Sequence, residues 1–118
     1  MKGISYRIIK DCMIFKCTAD YEKELYQSFI LFIKKTLLEK HRNKLIVDLR
    51  YVKGDIPDFD RFELGVSLAK NMGSKYSMGI LSLKEKINKF AENVAVNRGA
   101  NVFVSYDLNE ILQWFKKL

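Results

Sequence analysis

The chain has 118 residues, 48% hydrophobic and 30% charged, with one proline and six glycines. That length suits one domain, with little material for linkers. The balance excludes a disordered chain, and no stretch approaches the roughly 18 apolar residues that a membrane span needs. The net charge is +7, but charge without a basic–aromatic signature does not make a nucleic-acid protein.

Ile4 to Lys10 and Cys12 to Ala19 are rich in β-branched and aromatic residues around a tight break at Lys10-Asp11, which predicts a β-hairpin. Cys12 and Cys17 stand at odd spacing on its second strand, so they point to opposite faces and cannot bond to each other. Two reduced thiols, and a start (Met1 to Arg7) with no continuous apolar core, make the cytosol the expected location. Asp20 is placed to cap a helix from Tyr21 to about Lys40. Its core stripe is Leu25, Phe29, Phe32 and Thr36, widened by Tyr26, Ile30, Ile33 and Leu37. Leu31 and Leu38, one heptad apart, fall on the opposite, charged side and form a candidate homodimer contact. The basic excess gathers here, in Lys34, Lys35, Lys40, Arg42 and Lys44. Cations at a helix end complement its negative pole, which accounts for them without a nucleic-acid partner.

Leu45 to Val52 reads as a strand with Leu45, Val47 and Leu49 on one face, followed by a loop from Lys53 to Asp58. A helix is expected from about Phe59 to Met72, with Phe62, Val66 and Ala69 inward and Gly73 as its stop. Tyr76 to Leu81 is the next strand, and Ser82-Leu83-Lys84-Glu85 has the form of a capping box. It would open a helix with Ile87, Phe90, Ala91 and Val94 inward, ending at Asn97-Arg98-Gly99. Val102 to Tyr106 is the last strand. A second capping box, Asp107 to Glu110, opens a final helix with Leu108, Ile111, Leu112 and Phe115 inward. The order ββαβαβαβα favours a mostly parallel α/β sheet joined by right-handed crossovers.

Little in this chain carries catalytic chemistry. His41 is the single histidine and lies among lysines in a turn, so histidine-based zinc sites and triads are absent. The glycines form neither a Gly-x-Gly-x-x-Gly turn nor a P-loop. Asp55, Asp58, Asp60 and Glu63 crowd one loop and the turn after it. Such carboxylates can hold a hard cation, but Asp58 or Asp60 as a helix cap and Glu63 as a complement to the dipole explain them without a metal. No catalytic residue, metal site or cofactor is expected. The element order also differs from the βαββαβ of an RNA-recognition motif.

The strand Lys44 to Arg50, the segment Asp58-Phe59-Asp60-Arg61-Phe62-Glu63-Leu64-Gly65 and the segment Lys89 to Gly99 resemble the STAS/SpoIIAA-like superfamily, in particular small stand-alone bacterial STAS/SEC14-like proteins. The resemblance implies a four- or five-stranded, mostly parallel sheet with an N-terminal β-hairpin and four helices, mainly on one side. In the antagonist branch of that superfamily, a serine at the helix start after the central strand is phosphorylated to switch partner binding. Here that stretch is Asp58-Phe59-Asp60-Arg61, and no Ser or Thr lies between Leu37 and Val66.

The expected function is therefore a non-enzymatic regulatory or scaffolding domain that binds a protein partner. Its face would centre on Asp55, Asp58, Asp60 and Arg61, where carboxylates at a helix start give a fixed negative charge. The alternative is a binder of a small apolar, lipid-like ligand, with Phe29, Phe32, Phe62, Phe90 and Phe115 available to line a pocket.

Overall fold

In the computed structural model, which describes residues 1–118, β1 (Ile4–Ile9) and β2 (Cys12–Cys17) form the hairpin. Lys10 takes the left-handed φ of 54° at its turn. The remaining elements are α1 (Lys23–Lys40), β3 (Lys44–Asp48), α2 (Asp58–Met72), β4 (Ser77–Leu81), a 3-10 turn (Lys84–Lys86), α3 (Phe90–Asn97), β5 (Asn101–Ser105) and α4 (Leu108–Lys116). One five-stranded sheet runs in the order β1-β2-β3-β4-β5, antiparallel between the first two strands and parallel thereafter.

The strand order explains the layering. Each crossover steps one strand in the same direction, and right-handed crossovers then place α1, α2 and α3 on one face. That face carries Met13, Phe15, Leu45, Val47, Met78 and Val102, and holds the main core of 19 buried residues. α4 follows the last strand, free of any crossover, and folds onto the opposite face, where Ile111 and Phe115 bury against Ile46 and Leu81. Cys17 is buried on the three-helix face and Cys12 half-buried on the other, as their spacing predicts.

Several helices depart from the sequence reading for local reasons. α1 begins at Lys23, and Asp20 does not cap it. Tyr21 is committed elsewhere: its N–H donates to Lys53 O at 2.9 Å and its hydroxyl to Asp60 Oδ2 at 2.8 Å. α2 buries Gly65, Leu68 and Met72 instead of Phe62, Val66 and Ala69, because it meets α3 at Gly65, where a Cβ would stand 2.7 Å from the Ala91 carbonyl oxygen. The Ser82–Glu85 capping box does not form. Ser82 N–H donates to Ser105 O at 3.1 Å, only a 3-10 turn follows, and α3 waits until Phe90. At α4 the cap is made: Asp107 accepts from Asn109 N–H at 2.9 Å. Glu110 reaches the Ser105 hydroxyl at 2.6 Å, and that hydroxyl accepts from Asp107 N–H, so the box is closed through Ser105. Leu108 and Leu112 are exposed, because α4 lies on the sheet by Ile111 and Phe115 while Trp114 stacks on Phe103.

Candidate functional site

The carboxyl ends of the parallel strands are where open α/β sheets bind ligands, usually at a point where strand order reverses. This sheet has no reversal. A cavity of about 360 Å³ nevertheless lies there, between the sheet and the first turns of α2 and α3. Its floor is apolar: Phe29, Ile30 and Ile33 from α1, Val47 and Met78 from the sheet, and Leu68 from α2. Ile80 shows the effect most directly. It stands on a strand flanked on both sides and on the helix-covered face, yet it is only half-buried because it opens into this space.

Magnitude decides how to regard such a space. A fully closed, dry void of 360 Å³ would cost about 9 kcal/mol at ~24 cal/mol per Å³, an upper bound for this space, which is open at its mouth. That is as much as the whole stability of many domains, ~5–15 kcal/mol. Water can occupy the polar mouth but finds few partners on the apolar floor. The volume falls at the low end of small-molecule sites, roughly 300–1,000 Å³. It has the chemistry of a binding cavity.

Two loops roof it, and two cations lace them together. Arg61, on the first turn of α2, donates from Nε to Ile56 O at 3.0 Å and from Nη2 to Lys86 O at 3.4 Å. Lys86, at the end of the 3-10 turn, donates from Nζ to Val52 O at 2.9 Å. The roof is thus held by long side chains on backbone carbonyls. At the far side Lys89 and Glu92 pair at 3.7 Å, and both bond the outer peptide of β5: Lys89 Nζ to Val104 O, and Val104 N–H to the Glu92 carboxylate.

The expected site residues separate into three roles. Asp55 and Asp58 are exposed on the cavity rim, and Arg61 is half-buried beside them. Asp60 turns away to accept the Tyr21 hydroxyl, so it ties α2 to the start of α1 and is no helix cap. Asp58 is the first residue of α2, with Pro57 in the capping position and no side-chain cap. Glu63 pairs with Lys23 at 2.5 Å. Buried Asp48 accepts from Arg50 Nε and Nη2, each at 3.0 Å, and no group of three or more His, Cys, Asp or Glu side chains is close enough to hold a metal.

The five phenylalanines do not gather. Phe29 lines the cavity, but Phe32 packs against Tyr6 and Phe15, Phe62 and Phe90 are exposed, and Phe115 lies on the opposite face. Helical stripes alone could not reveal this, since the cavity depends on how the helices stop short of the sheet's end. Leu31 and Leu38 are both exposed, at 58% and 48%. Leu31 joins Phe62 and Val66 in a shallow groove between α1 and α2 that does not include Leu38. Sequence reasoning also missed Phe59, which is 68% exposed between Asp58 and Asp60, with Lys23 Nζ 5.6 Å from its ring centre. An aromatic in the first turn of a predicted helix was the available signal.

No protein-family model matches the chain, and no curated protein matches it by sequence. Solved structures do match. A proposed anti-sigma factor antagonist from Thermotoga maritima superposes with a TM-score of 0.66 at 18% identity, covering 98% of this chain and 96% of that one. An anti-sigma factor antagonist from Mycobacterium paratuberculosis gives 0.63 at 8% identity, over 96% and 92%. An uncharacterized protein with a SpoIIAA-like fold from Shewanella loihica gives 0.54 at 17% identity, over 94% and 90%. The chain has a SpoIIAA-like α/β fold, the fold that the sequence resemblance implies. No helix is long and apolar enough to cross a membrane.

Proposed function

We propose that this domain is a non-enzymatic regulatory module that works by protein–protein contact, through the loop at Asp55 and the first turn of α2. The observation that carries the reading is Phe59: a phenyl ring 68% exposed that stands in the first turn of α2 next to the rim carboxylate Asp58. Exposed aromatics ringed by polar residues are the usual anchors of interfaces. The fold shared with anti-sigma factor antagonists is consistent with a protein partner. The start of α2 has no hydroxyl to phosphorylate, so Asp58 supplies a constant negative charge there, and any switch must use another input. Leu31, with Phe62 and Val66, is the better-placed half of a homodimer contact, and Leu38 extends it along α1.

The test uses this chain as bait for its own cell extract, comparing the captured partner among variants. Asp58→Ala and Phe59→Ala are expected to lose at least about tenfold in capture with unchanged circular dichroism. Asp60→Ala additionally loses the Tyr21 hydrogen bond and serves as a stability control. Equal capture by Phe59→Ala and the unaltered chain would remove this face from the reading.

One observation favours a second reading, a small apolar ligand: the 360 Å³ cavity beneath the same loop. Native mass spectrometry of protein purified without detergent checks it. An added mass lost on activation supports a ligand.

A further inference from the structure

The rim of the cavity carries more than a count of charges indicates. Lys23–Glu63, Lys44–Asp11, Arg50–Asp48 and Lys89–Glu92 are the ion pairs of the molecule. Arg61 and Lys86 belong to none of them, and both are half-buried with only neutral carbonyls as partners. Of the carboxylates that line the same cavity, Asp55, Asp58 and Glu85 are exposed, and half-buried Glu92 is already engaged by Lys89 and the Val104 N–H. Charges in open water are well screened, whereas a half-buried cation keeps more of its field. The site therefore presents two under-partnered cations at the lip of an apolar hole.

The hole constrains the rest of the ligand. The Tyr26 hydroxyl, which reaches into the wall, is already used on Ala19 O at 2.5 Å. Burial keeps the Cys17 thiol protonated. Nothing on the floor is left over to pair with a buried polar atom, so a bound molecule must be apolar along its inserted length. A volume of 360 Å³ suits one chain of moderate length and is too small for a two-tailed lipid.

We propose that the cavity takes a single-chain amphiphile with an anionic head, the chemistry of a free fatty acid, with its carboxylate between Arg61 and Lys86. This rests on the second reading above, that the cavity is a ligand site. The head would also replace the carbonyls of Ile56, Lys86 and Val52 as partners of the two cations. Binding would then loosen the bonds that lace the 52–61 loop to the 82–89 loop, giving the chain its way in. The roof that yields carries Asp55, Asp58 and Phe59, so occupancy bears on the face proposed to hold the protein partner.

The experiment titrates delipidated full-length protein with three molecules of equal chain length, namely laurate, dodecanol and dodecylammonium, read by native mass spectrometry and calorimetry. Laurate is expected to bind one per chain and at least about tenfold more tightly than dodecanol, with the ammonium weakest. Arg61→Gln with Lys86→Gln should erase the difference between acid and alcohol, and Ile80→Phe should abolish binding of both. Equal affinity for acid and alcohol, or tightest binding of the ammonium, overturns the anionic head while leaving an apolar ligand site intact. Laurate still bound by a folded Ile80→Phe places it outside the cavity and overturns the proposal. Failure of all three molecules to bind overturns the proposal and the ligand reading together. The head-group series on the unaltered chain decides the sign even if a variant fails to fold.

Discussion

At the scale of single residues, two glycines fix how closely the layers approach. A Cβ on Gly65 would stand 2.7 Å from the Ala91 carbonyl oxygen, and one on Gly79 would stand 2.3 Å from Ile111 Cγ2. Alanine gains up to about 1 kcal/mol over glycine in a helix interior, but overpacking costs about 1–3 kcal/mol. At Gly65 the obstacle is backbone, which cannot rotate away, so Gly65→Ala is expected to lower the urea midpoint despite its better helix propensity. At Gly79 the obstacle is a branched side chain. Gly79→Ala should lose stability, and Ile111→Ala in the same chain should recover part of it, a coupling of at least about 0.5 kcal/mol. Additive losses would mean that α4 has room to lift. The thiols give a residue-scale pH prediction. Burial first, then Asp48, pushes Cys17 from 9.0 up to about 12, and burial, then Asp11, pushes Cys12 up to about 11. Burial raises the Tyr21 and Tyr26 phenols as well. A raised folded-state pKa on these acids means that the fold favours their protonated forms. Their stabilisation is complete below pH 9.0 and is lost as pH climbs through the raised values. Urea midpoints should hold up to about pH 9 and then fall; a rise with alkalinity would contradict the burial. The opposite faces of Cys12 and Cys17 were legible from their spacing alone. The role of Asp60 was not, because its partner Tyr21 lies 39 residues away in the chain.

At the scale of elements, the sheet's last edge is managed by side chains from the start of α3. The outer peptide of Val104 donates to Glu92 and accepts from Lys89 Nζ at 2.9 Å, which is what a sixth strand would do at that point. An unpaired edge is a template for association, so this contact serves solubility as well as stability. Glu92→Ala is expected to cost about 1–2 kcal/mol and to raise light scattering at high protein concentration. Glu92→Gln, which can still accept, should do less of both. The two variants behaving alike would show that the bond to Val104 carries nothing. Element order was fully legible, since hydrophobic periodicity and turn residues are local signals. Helix starts were legible only where nothing distant competed. Asp107 caps α4 as predicted, whereas Asp20, Asp58 and Ser82 do not cap. Each of those three lies in a segment drawn off by a bond from another part of the chain: Tyr21 to Lys53, Arg61 to Ile56 and Lys86, and Ser82 to Ser105. All three segments meet at the carboxyl end of the sheet, around the cavity, where local preference and tertiary demand conflict.

At the scale of the whole molecule, a singly wound sheet with three helices on one face fills its core well except at that end. The delayed start of α3 and the cavity are one fact seen twice. Residues 82–89 roof a space that a helix begun at Lys84 would have left differently bounded. Filling the space from within tests this directly. Ile80 projects from the sheet into the cavity and is only half-buried there. In a close-packed core, Ile80→Phe would overpack and lose about 1–3 kcal/mol. In a 360 Å³ cavity the larger ring has room, and burying its extra carbons gains roughly 0.8 kcal/mol per methylene-sized group. Delipidated Ile80→Phe is therefore expected to melt several degrees above the unaltered chain, at about 4–8 °C per kcal/mol for a domain near this size. The comparison requires ligand-free protein, because a bound chain would stabilise only the unaltered form. A lower melting temperature would show that the helices already close over Ile80, and the cavity would lose its standing as a binding site.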